Sequence, residues 1–311
     1  MGKEHEQINW NAEVEHELRQ IVRLAVAEDL GRLQDWTTVS LVRESEKAAA
    51  YIVTREPGVI AGLPAGPAVL NEMDCDVEFV KLIEDGERVE PLQRIAEIRG
   101  SARDILTSER IILNLIGRLS GIATITSKYV EELEGTKARI YDTRKTTPGY
   151  RLLEKYAVKC GGGTNHRSGL HRAVLIKDNH IAFGQNEQDE DSFGVAESVE
   201  KAREFVRQAA PDGENMIIEI EVDSLEQLER VLPTRPDIVL LDNMSNEQLR
   251  QAVAMRDANG AGVELEASGG INLTTVGGVA KTGVDRISSG ALTHSAPNFD
   301  VGLDWQMIES A

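Results

Sequence analysis

Two cysteines in 311 residues, and an aromatic share of 4%, leave little to staple or to stack. Cys75 and Cys160 stand far apart and make no C-x-x-C pair, which argues against a disulfide framework and points to a reduced, cytoplasmic setting. No apolar run approaches the roughly 18 residues of a membrane span, so no membrane partner is expected. Residues 1–10 are polar and charged and do not read as a signal peptide. Glu6 also stands where myristoylation would need a hydroxyl. Positive charge is short: 34 basic against 52 acidic residues give −18, which excludes nucleic acid, since a phosphate backbone needs a basic footprint. Lysine is scarcer still, 11 against 23 arginines, and such a surface suits a salt-adapted protein as well as an ordinary acidic one. His166 and His171 are five apart with no Cys/His set to complete them, so a protein-held zinc is not expected; no organic cofactor is expected either.

What positive charge there is has been concentrated. Between Asp142 and His180 stand Arg144, Lys145, Arg151, Lys155, Lys159, Arg167, Arg172 and Lys177 against Asp142, Glu154 and Asp178. That segment is +5 and the remainder of the chain −23, and His166, His171 and His180 fall inside it. An acidic chain that keeps one basic island is read as keeping it for an anion; a chance cluster paired with acidic neighbours is the alternative.

The first third has an α+β texture. Val14, Leu18, Ile21, Val22 and Ala25 mark a helical stripe ended by Gly31, residues 48–54 and 77–83 read as strands, and 103–118 and 121–133 read as two helices. From about residue 137 short apolar strands (138–141, 173–176, 216–222, 238–241, 263–265, 286–288) alternate with amphipathic helices (148–159, 195–208, 225–232, 246–259, 273–281). Such βα rhythm implies a parallel sheet, doubly wound or closed into a barrel. Pro148 suits a first helical position. The acidic stretch 185–192 reads as an exposed loop.

Each strand of this second part runs into polar residues: Asp142–Lys145, Lys177, Glu221, Asp242, Ser268-Gly269-Gly270 and Ser289-Gly290. In a barrel those ends meet on one face, where catalytic groups sit. Arginine matches a carboxylate bidentately and lysine adds a point charge, so Arg144, Lys145, Arg167 and Lys177 describe a pocket for two carboxylates, or for carboxylate plus phosphate. Glu221 and Asp242 suit Mg²⁺ or sugar hydroxyls, or else structural ion pairs. The two late glycine turns would let backbone N–H groups approach a phosphate, or are plain turn chemistry. Gly161-Gly162-Gly163 is not a P-loop, because no Gly-Lys-Ser/Thr follows.

These segments resemble one family. Asp142-Thr143-Arg144-Lys145-Thr146-Thr147-Pro148-Gly149, Gly161 through Arg167, Leu175 through His180, Glu219 through Ser224, Leu240 through Met244, Glu266 through Ile271 and Gly290 through Ser295 are similar, in order, to quinolinate phosphoribosyltransferases. Glu109-Arg110, Leu119 through Thr124 and Asp29-Leu30-Gly31 extend the likeness upstream. The resemblance implies an incomplete (β/α) barrel over residues 121–290, plus an α+β open-faced sandwich from residues 1–120 with the tail 291–311. It implies transfer of phosphoribose from phosphoribosyl pyrophosphate to quinolinate with decarboxylation, and a homodimer or higher oligomer in which Arg110 reaches the neighbouring site. Arg144, Arg167 and Lys177 match carboxylate ligands, with Lys145 and His166 beside them. Glu221 and Asp242 match residues for ribose and substrate-borne Mg²⁺, and Ser268, Gly269, Gly270 and Gly290, with Ser289 adjoining, match the 5′-phosphate cradle. Lys145, Glu221 and Asp242 are the expected catalytic groups. His171-Arg172 and Ser289 depart from the commoner pattern. A phosphoribosyltransferase of the same fold acting on another carboxylated base is the alternative, and it would need fewer cations.

Overall fold

The computed structural model describes residues 3–184, 193–260 and 262–306. The expected loop at 185–192 and the end of the tail, 307–311, lie outside them. Contacts divide the chain into two compact units. One holds Ile8–Ser127, Lys145–Gly163 and the tail from Leu292; the other holds the arm up to Gln7, Lys128–Arg144 and Thr164–Ala291.

In the first unit α1 (Ala12–Leu30) begins at Asn11, whose side chain accepts from the amides of Glu13 and Val14 and satisfies two orphan donors. Val14, Leu18, Ile21 and Val22 are its buried stripe, and Gly31 ends it at φ +61, a conformation glycine takes without cost. After α2 (Trp36–Leu41) come β1 (Lys47–Thr54), β2 (Gly58–Val59), α3 (Ala65–Glu72), β3 (Val77–Lys81), β4 (Arg88–Val89) and β5 (Arg94–Ser101). β2 and β4 form a short ribbon, while β1, β5 and β3 join a tail strand, Val301–Trp305, in an antiparallel sheet. Ala50 pairs with Ile98, and both pack on Ile105 with Val77, Phe79 and Leu303. The alternate residues, Tyr51 opposite Glu97 and Ala49 opposite Arg99, face the other way, and Glu97 holds Arg99 by two bonds of 2.7 Å. One face is apolar and packed and the other polar, as the open-faced sandwich requires.

The expected pair of helices at 103–118 and 121–133 is one helix, α4 (Ala102–Glu132). Gly121, expected to open the second helix, serves as a contact: a Cβ there would stand 1.9 Å from the carbonyl oxygen of Pro297. At Gly117 a Cβ would stand 2.9 Å from the carbonyl oxygen of Phe299, and the Phe299 amide donates to the Gly117 carbonyl at 2.9 Å. The helix expected from Pro148 starts later, as α5 (Arg151–Cys160), because Gly149 sits at φ +82, outside helical space.

In the second unit β6 (Arg139–Tyr141), β7 (Ala173–Ile176), β8 (Ile217–Val222), β9 (Ile238–Asp242), β10 (Glu264–Ser268) and β11 (Arg286–Ser288) form one parallel sheet in the order β6-β11-β10-β9-β8-β7. Chain neighbours β6 and β7 stand at opposite edges, which is the strand order of a (β/α) barrel left open between them. The connections carry α6 (Asp178–Gly184), α7 (Val195–Ala209), α8 (Leu225–Val231), α9 (Asn246–Asn259) and α10 (Val276–Ala280), and α11 (Ala291–His294) follows β11 before the tail strand, β12 (Val301–Trp305).

Register divides this sheet into two unlike faces. Glu219 pairs with Ile238, Glu221 and Glu266 with Leu240, Glu266 with Arg286, Arg286 with Arg139, and Ser288 with Tyr141. Those residues share a face with Asp242 and Ser268, so that face is lined by charge. The other face carries Ile140, Ile218, Ile220, Val222, Val239, Leu241, Leu265, Ala267 and Ile287, all buried. Amphipathic α7 and α8 lie against β7 and β8 and supply Val195, Val199, Val206, Leu228 and Val231. At about 25 cal/mol per Å², this apolar side carries the burial that offsets ordering the strands. The charged side is free to hold a site. Among the described residues no helix is long and apolar enough to cross a membrane.

Candidate active site

The site grows from the end of β6. Thr164 runs alongside that strand, its amide donating to Ile140 at 2.9 Å and its carbonyl accepting from Asp142 at 3.1 Å. Asp142 is fully buried, and its carboxylate accepts from the Asn165 side-chain amide at 2.7 Å and the His166 backbone amide at 2.8 Å. An ionised acceptor shared by two donors is a strong clamp. It sets Arg167 beside Arg144.

Arg167 is 7% exposed and spends one guanidinium N–H on the Ala173 carbonyl at 2.8 Å. Burial holds its pKa below the ordinary arginine value; Glu219 opposes that effect and the like charge of Arg144 adds to it. The Arg144 Nε is itself buried and, among the described residues, meets no hydrogen-bond acceptor. Two like charges held close, one with an orphaned donor, are what a multiply anionic ligand would relieve.

Further round the strand ends, the Lys177 ammonium pairs with the Glu221 carboxylate. The Lys177 side chain is 43% exposed and the Glu221 side chain 14%. Asp242 follows on the next strand, one Oδ2 accepting from the Asn243 side chain at 2.7 Å. Asn243 sits at φ +54, and it fits only because Gly269 has no side chain: a Cβ there would stand 2.2 Å from the Asn243 Oδ1. Gly270, at φ +64, would meet nothing within 4 Å, so the turn after β10 offers backbone to an open space. Ser289 is different. Its hydroxyl donates to Ile271 at 2.8 Å and its amide to Tyr141 at 3.0 Å, so both donors brace the sheet, with Gly290 next in line.

Lys145 and Arg110 belong to the other unit. The Lys145 side chain is exposed and its carbonyl accepts from Thr293 Oγ1 at 2.8 Å. Arg110 projects from α4 with 65% of its side chain exposed, and Glu109 lies 3.8 Å away as its ion-pair partner among the described residues.

Beneath the arginines lies a layer that sequence reasoning missed. His166 is buried: its Nδ1 accepts from the Arg167 amide at 2.8 Å, and its Nε2 lies 3.1 Å from Glu219 and 3.6 Å from Glu266. Both ring nitrogens are therefore engaged within the protein, with the proton on Nε2. Glu266 is fully buried, and burial, then the neighbouring Glu219 charge, push its carboxyl up to about 7. His5 stacks on His166 at 4.4 Å between centroids and 33° between planes. His5, His166 and Glu219 bring one ligand atom each within 4.8 Å of one another. Stacked rings, however, point their in-plane lone pairs alongside each other rather than at one ion, so the group reads as packing and hydrogen bonding. The alternation Glu219-Ile220-Glu221 was the available signal, since two acids on one face of an interior strand require charged company.

The family described as "Quinolinate phosphoribosyl transferase, C-terminal domain" matches residues 122–304, and its N-terminal domain matches residues 35–120. The nicotinate-nucleotide pyrophosphorylase [carboxylating] of Mycobacterium leprae is 44% identical over 289 residues, covering 92% of this chain and 96% of that protein. The probable nicotinate-nucleotide pyrophosphorylase [carboxylating] of Bacillus subtilis is 38% identical, covering 93% of each. Among solved structures, the nicotinate-nucleotide pyrophosphorylase from Francisella tularensis superposes with a TM-score of 0.85 at 38% identity, over 97% of this chain and all of that one. Human nicotinic acid phosphoribosyltransferase, with a TM-score of 0.59 at 14% identity, shares the fold alone.

Proposed function

The chain belongs to the quinolinate phosphoribosyltransferase family, and from that premise we propose how its own residues carry the reaction. The enzyme is a phosphoribosyltransferase of de novo NAD biosynthesis. It joins quinolinate to phosphoribosyl pyrophosphate and releases nicotinate mononucleotide, pyrophosphate and CO₂. The expected catalytic domain, residues 121–290, is taken here as the unit of Lys128–Arg144 and Thr164–Ala291 with the arm up to Gln7, and the expected sandwich, residues 1–120 with the tail from 291, as the unit of Ile8–Ser127, Lys145–Gly163 and the tail from Leu292. The observation that carries the site is the close pair Arg144 and Arg167, one with a buried, unaccepted donor.

Quinolinate carries two carboxylates on adjacent ring carbons. Arg144 and Arg167 would take one or both, and Lys177 would approach from β7, leaving Glu221 as it turns to the substrate. Held there, the ring nitrogen is aimed at the anomeric carbon, and the gain is positional. The nitrogen's lone pair forms the new C–N bond as the C–O bond to pyrophosphate breaks. Positive charge develops on the ribose, and Glu221 and Asp242, on one face of neighbouring strands, favour it. Their oxygen donors also suit Mg²⁺, which a protein commonly holds through one or two carboxylates and substrate phosphates. When bound, that ion neutralises charge on the leaving pyrophosphate. Ser268, Gly269, Gly270 and Gly290 would present backbone N–H groups to the 5′-phosphate, with Ser289 bracing the turn. The pyridinium formed by transfer accepts the electron pair left when the adjacent carboxylate departs as CO₂, and a proton from solvent replaces it. Lys145, exposed after β6, is assigned to the phosphoribosyl pyrophosphate charge, and His166 to support of the carboxylate pocket.

Arg110, exposed and weakly paired, supports an oligomer in which it serves a neighbouring subunit's site. Mixing Arg110→Ala with a Lys177→Ala chain should restore activity in hybrids; no recovery despite proven exchange would count against it. Free Cys75 and Cys160, with burial pushing their thiols up to about 11 and about 12, fit a reduced cytoplasmic protein and offer no nucleophile. The deciding experiment is release of labelled CO₂ from carboxyl-labelled quinolinate. It should require phosphoribosyl pyrophosphate and Mg²⁺, and nicotinate should not substitute. Turnover of nicotinate at a comparable rate would favour the other base.

A further inference from the structure

We propose that the amino-terminal arm, residues 3–7, positions the quinolinate pocket, with His5 and Gln7 acting as positioning residues for Arg167; this rests on the reading of Arg144 and Arg167 as carboxylate ligands. The arm is anchored at its far end. Lys3 donates to the Met216 carbonyl at 3.0 Å and lies 3.4 Å from Asp237, at the starts of β8 and β9. Glu4 takes Arg139 at 2.5 Å and Arg286 at 3.3 Å, where β6 and β11 begin. The arm therefore crosses the starts of four strands, opposite the ends that carry the site. From that base His5 rises onto the ring of His166.

Gln7 then engages the pocket segment by its backbone. Its side-chain oxygen accepts from the Asn165 amide at 2.9 Å, and its side-chain nitrogen donates to the Asn165 carbonyl at 3.2 Å and to the His5 carbonyl at 3.0 Å. One amide thus ties the arm to itself and pairs with both backbone groups of a fully buried residue. Asp142 fixes Asn165 and His166 from one side, and Gln7 and His5 fix them from the other. Arg167 follows directly, its amide bonded to His166 Nδ1. An arginine recognises a planar carboxylate only when its fork is held at the right angle, so looseness two residues upstream is felt at the substrate. Asp242 ends β9 and Ser268 ends β10, with Gly269 and Gly270 beyond it, whereas the arm crosses the strand starts, so the phosphoribosyl half of the site should not feel it.

That asymmetry is the test. In the full chain, Gln7→Ala and His5→Ala should each raise KM for quinolinate about tenfold, equivalent to about 1.4 kcal/mol. KM for phosphoribosyl pyrophosphate should stay within about twofold. His5→Phe, which keeps a stacking ring, should restore KM for quinolinate to within about twofold. Equal rises in both KM values would mark a merely structural arm and overturn the proposal, as would unchanged KM for quinolinate in both alanine variants. Should those variants fail to fold, the unsubstituted protein decides by hydrogen exchange. Quinolinate should slow exchange in residues 3–7 together with 165–167, and protection confined to 165–167 would overturn the coupling. If the unsubstituted protein turns over quinolinate while the variants match it, this inference alone falls. If it does not turn quinolinate over at all, the assigned function falls and takes this inference with it.

Discussion

Replacing Lys177 by alanine separates what the pocket does from what holds the fold. The ammonium pairs with Glu221 at a rim where the lysine side chain is 43% exposed. A pair that open contributes about 0–1 kcal/mol to stability after solvent screening. Lys177→Ala should therefore lower the urea-unfolding free energy by no more than about 1 kcal/mol, a few degrees in Tm for a chain of this size. Its effect on catalysis should be far larger. A charge-assisted hydrogen bond to a carboxylate is worth about 1.5–3 kcal/mol, and each 1.36 kcal/mol is a factor of ten, so kcat/KM for quinolinate should fall about 10- to 150-fold. Freed of its partner, the Glu221 carboxylate would also repel the diacid and push the loss toward the upper figure. Lys177→Arg retains the charge and should recover part of it. Steady-state kinetics with quinolinate varied at saturating phosphoribosyl pyrophosphate, beside urea titrations of the same samples, measures both quantities. A fall in kcat/KM of less than about threefold, with stability unchanged, would refute the placement of Lys177 among the carboxylate ligands.

Three other perturbations probe the frame around the site. Glu154 is fully buried against Arg118, which also donates to the carbonyls of Thr293 and Ala296, so Glu154→Gln leaves a poorly compensated guanidinium; about 3 kcal/mol should be lost in urea titration. Gly269→Ala puts a Cβ against Asn243 at φ +96, costing about 1–3 kcal/mol of strain, and by displacing the residue that bonds Asp242 it should raise KM for phosphoribosyl pyrophosphate more than KM for quinolinate. Glu266 titrates near 7 in the fold against 4.5 free, so between those values the folded state keeps a proton that the unfolded state has lost. Its contribution to stability is full below about pH 4.5 and declines as pH rises toward 7, by up to about 3 kcal/mol; Glu266→Gln should flatten that decline, and parallel unfolding curves at pH 5 and pH 8 would sink the assignment.

By itself the sequence determined the strand and helix rhythm from residue 137 on, because apolar strands and amphipathic helices are local patterns. It also determined the polar strand ends and the long motifs that carry the family. Other features arose only from contacts between segments distant in the chain. The two helices expected at 103–118 and 121–133 are one, and its Gly117 and Gly121 are the floor on which residues 297–299 lie, a role that depends on a segment some 180 residues away. Pro148 looked like a helix start until Gly149 took a left-handed turn. Glu219 and Glu266 entered only as members of longer motifs, and register put them on one face below His166. His5 and Gln7 carried no signal at all, since nothing local to a polar terminus says that it will cross the starts of four strands and pair with Asn165. The basic island pointed to an anion. That Arg167 lies buried with the charge of Arg144 beside it, after a segment held by Asp142, came only from the fold.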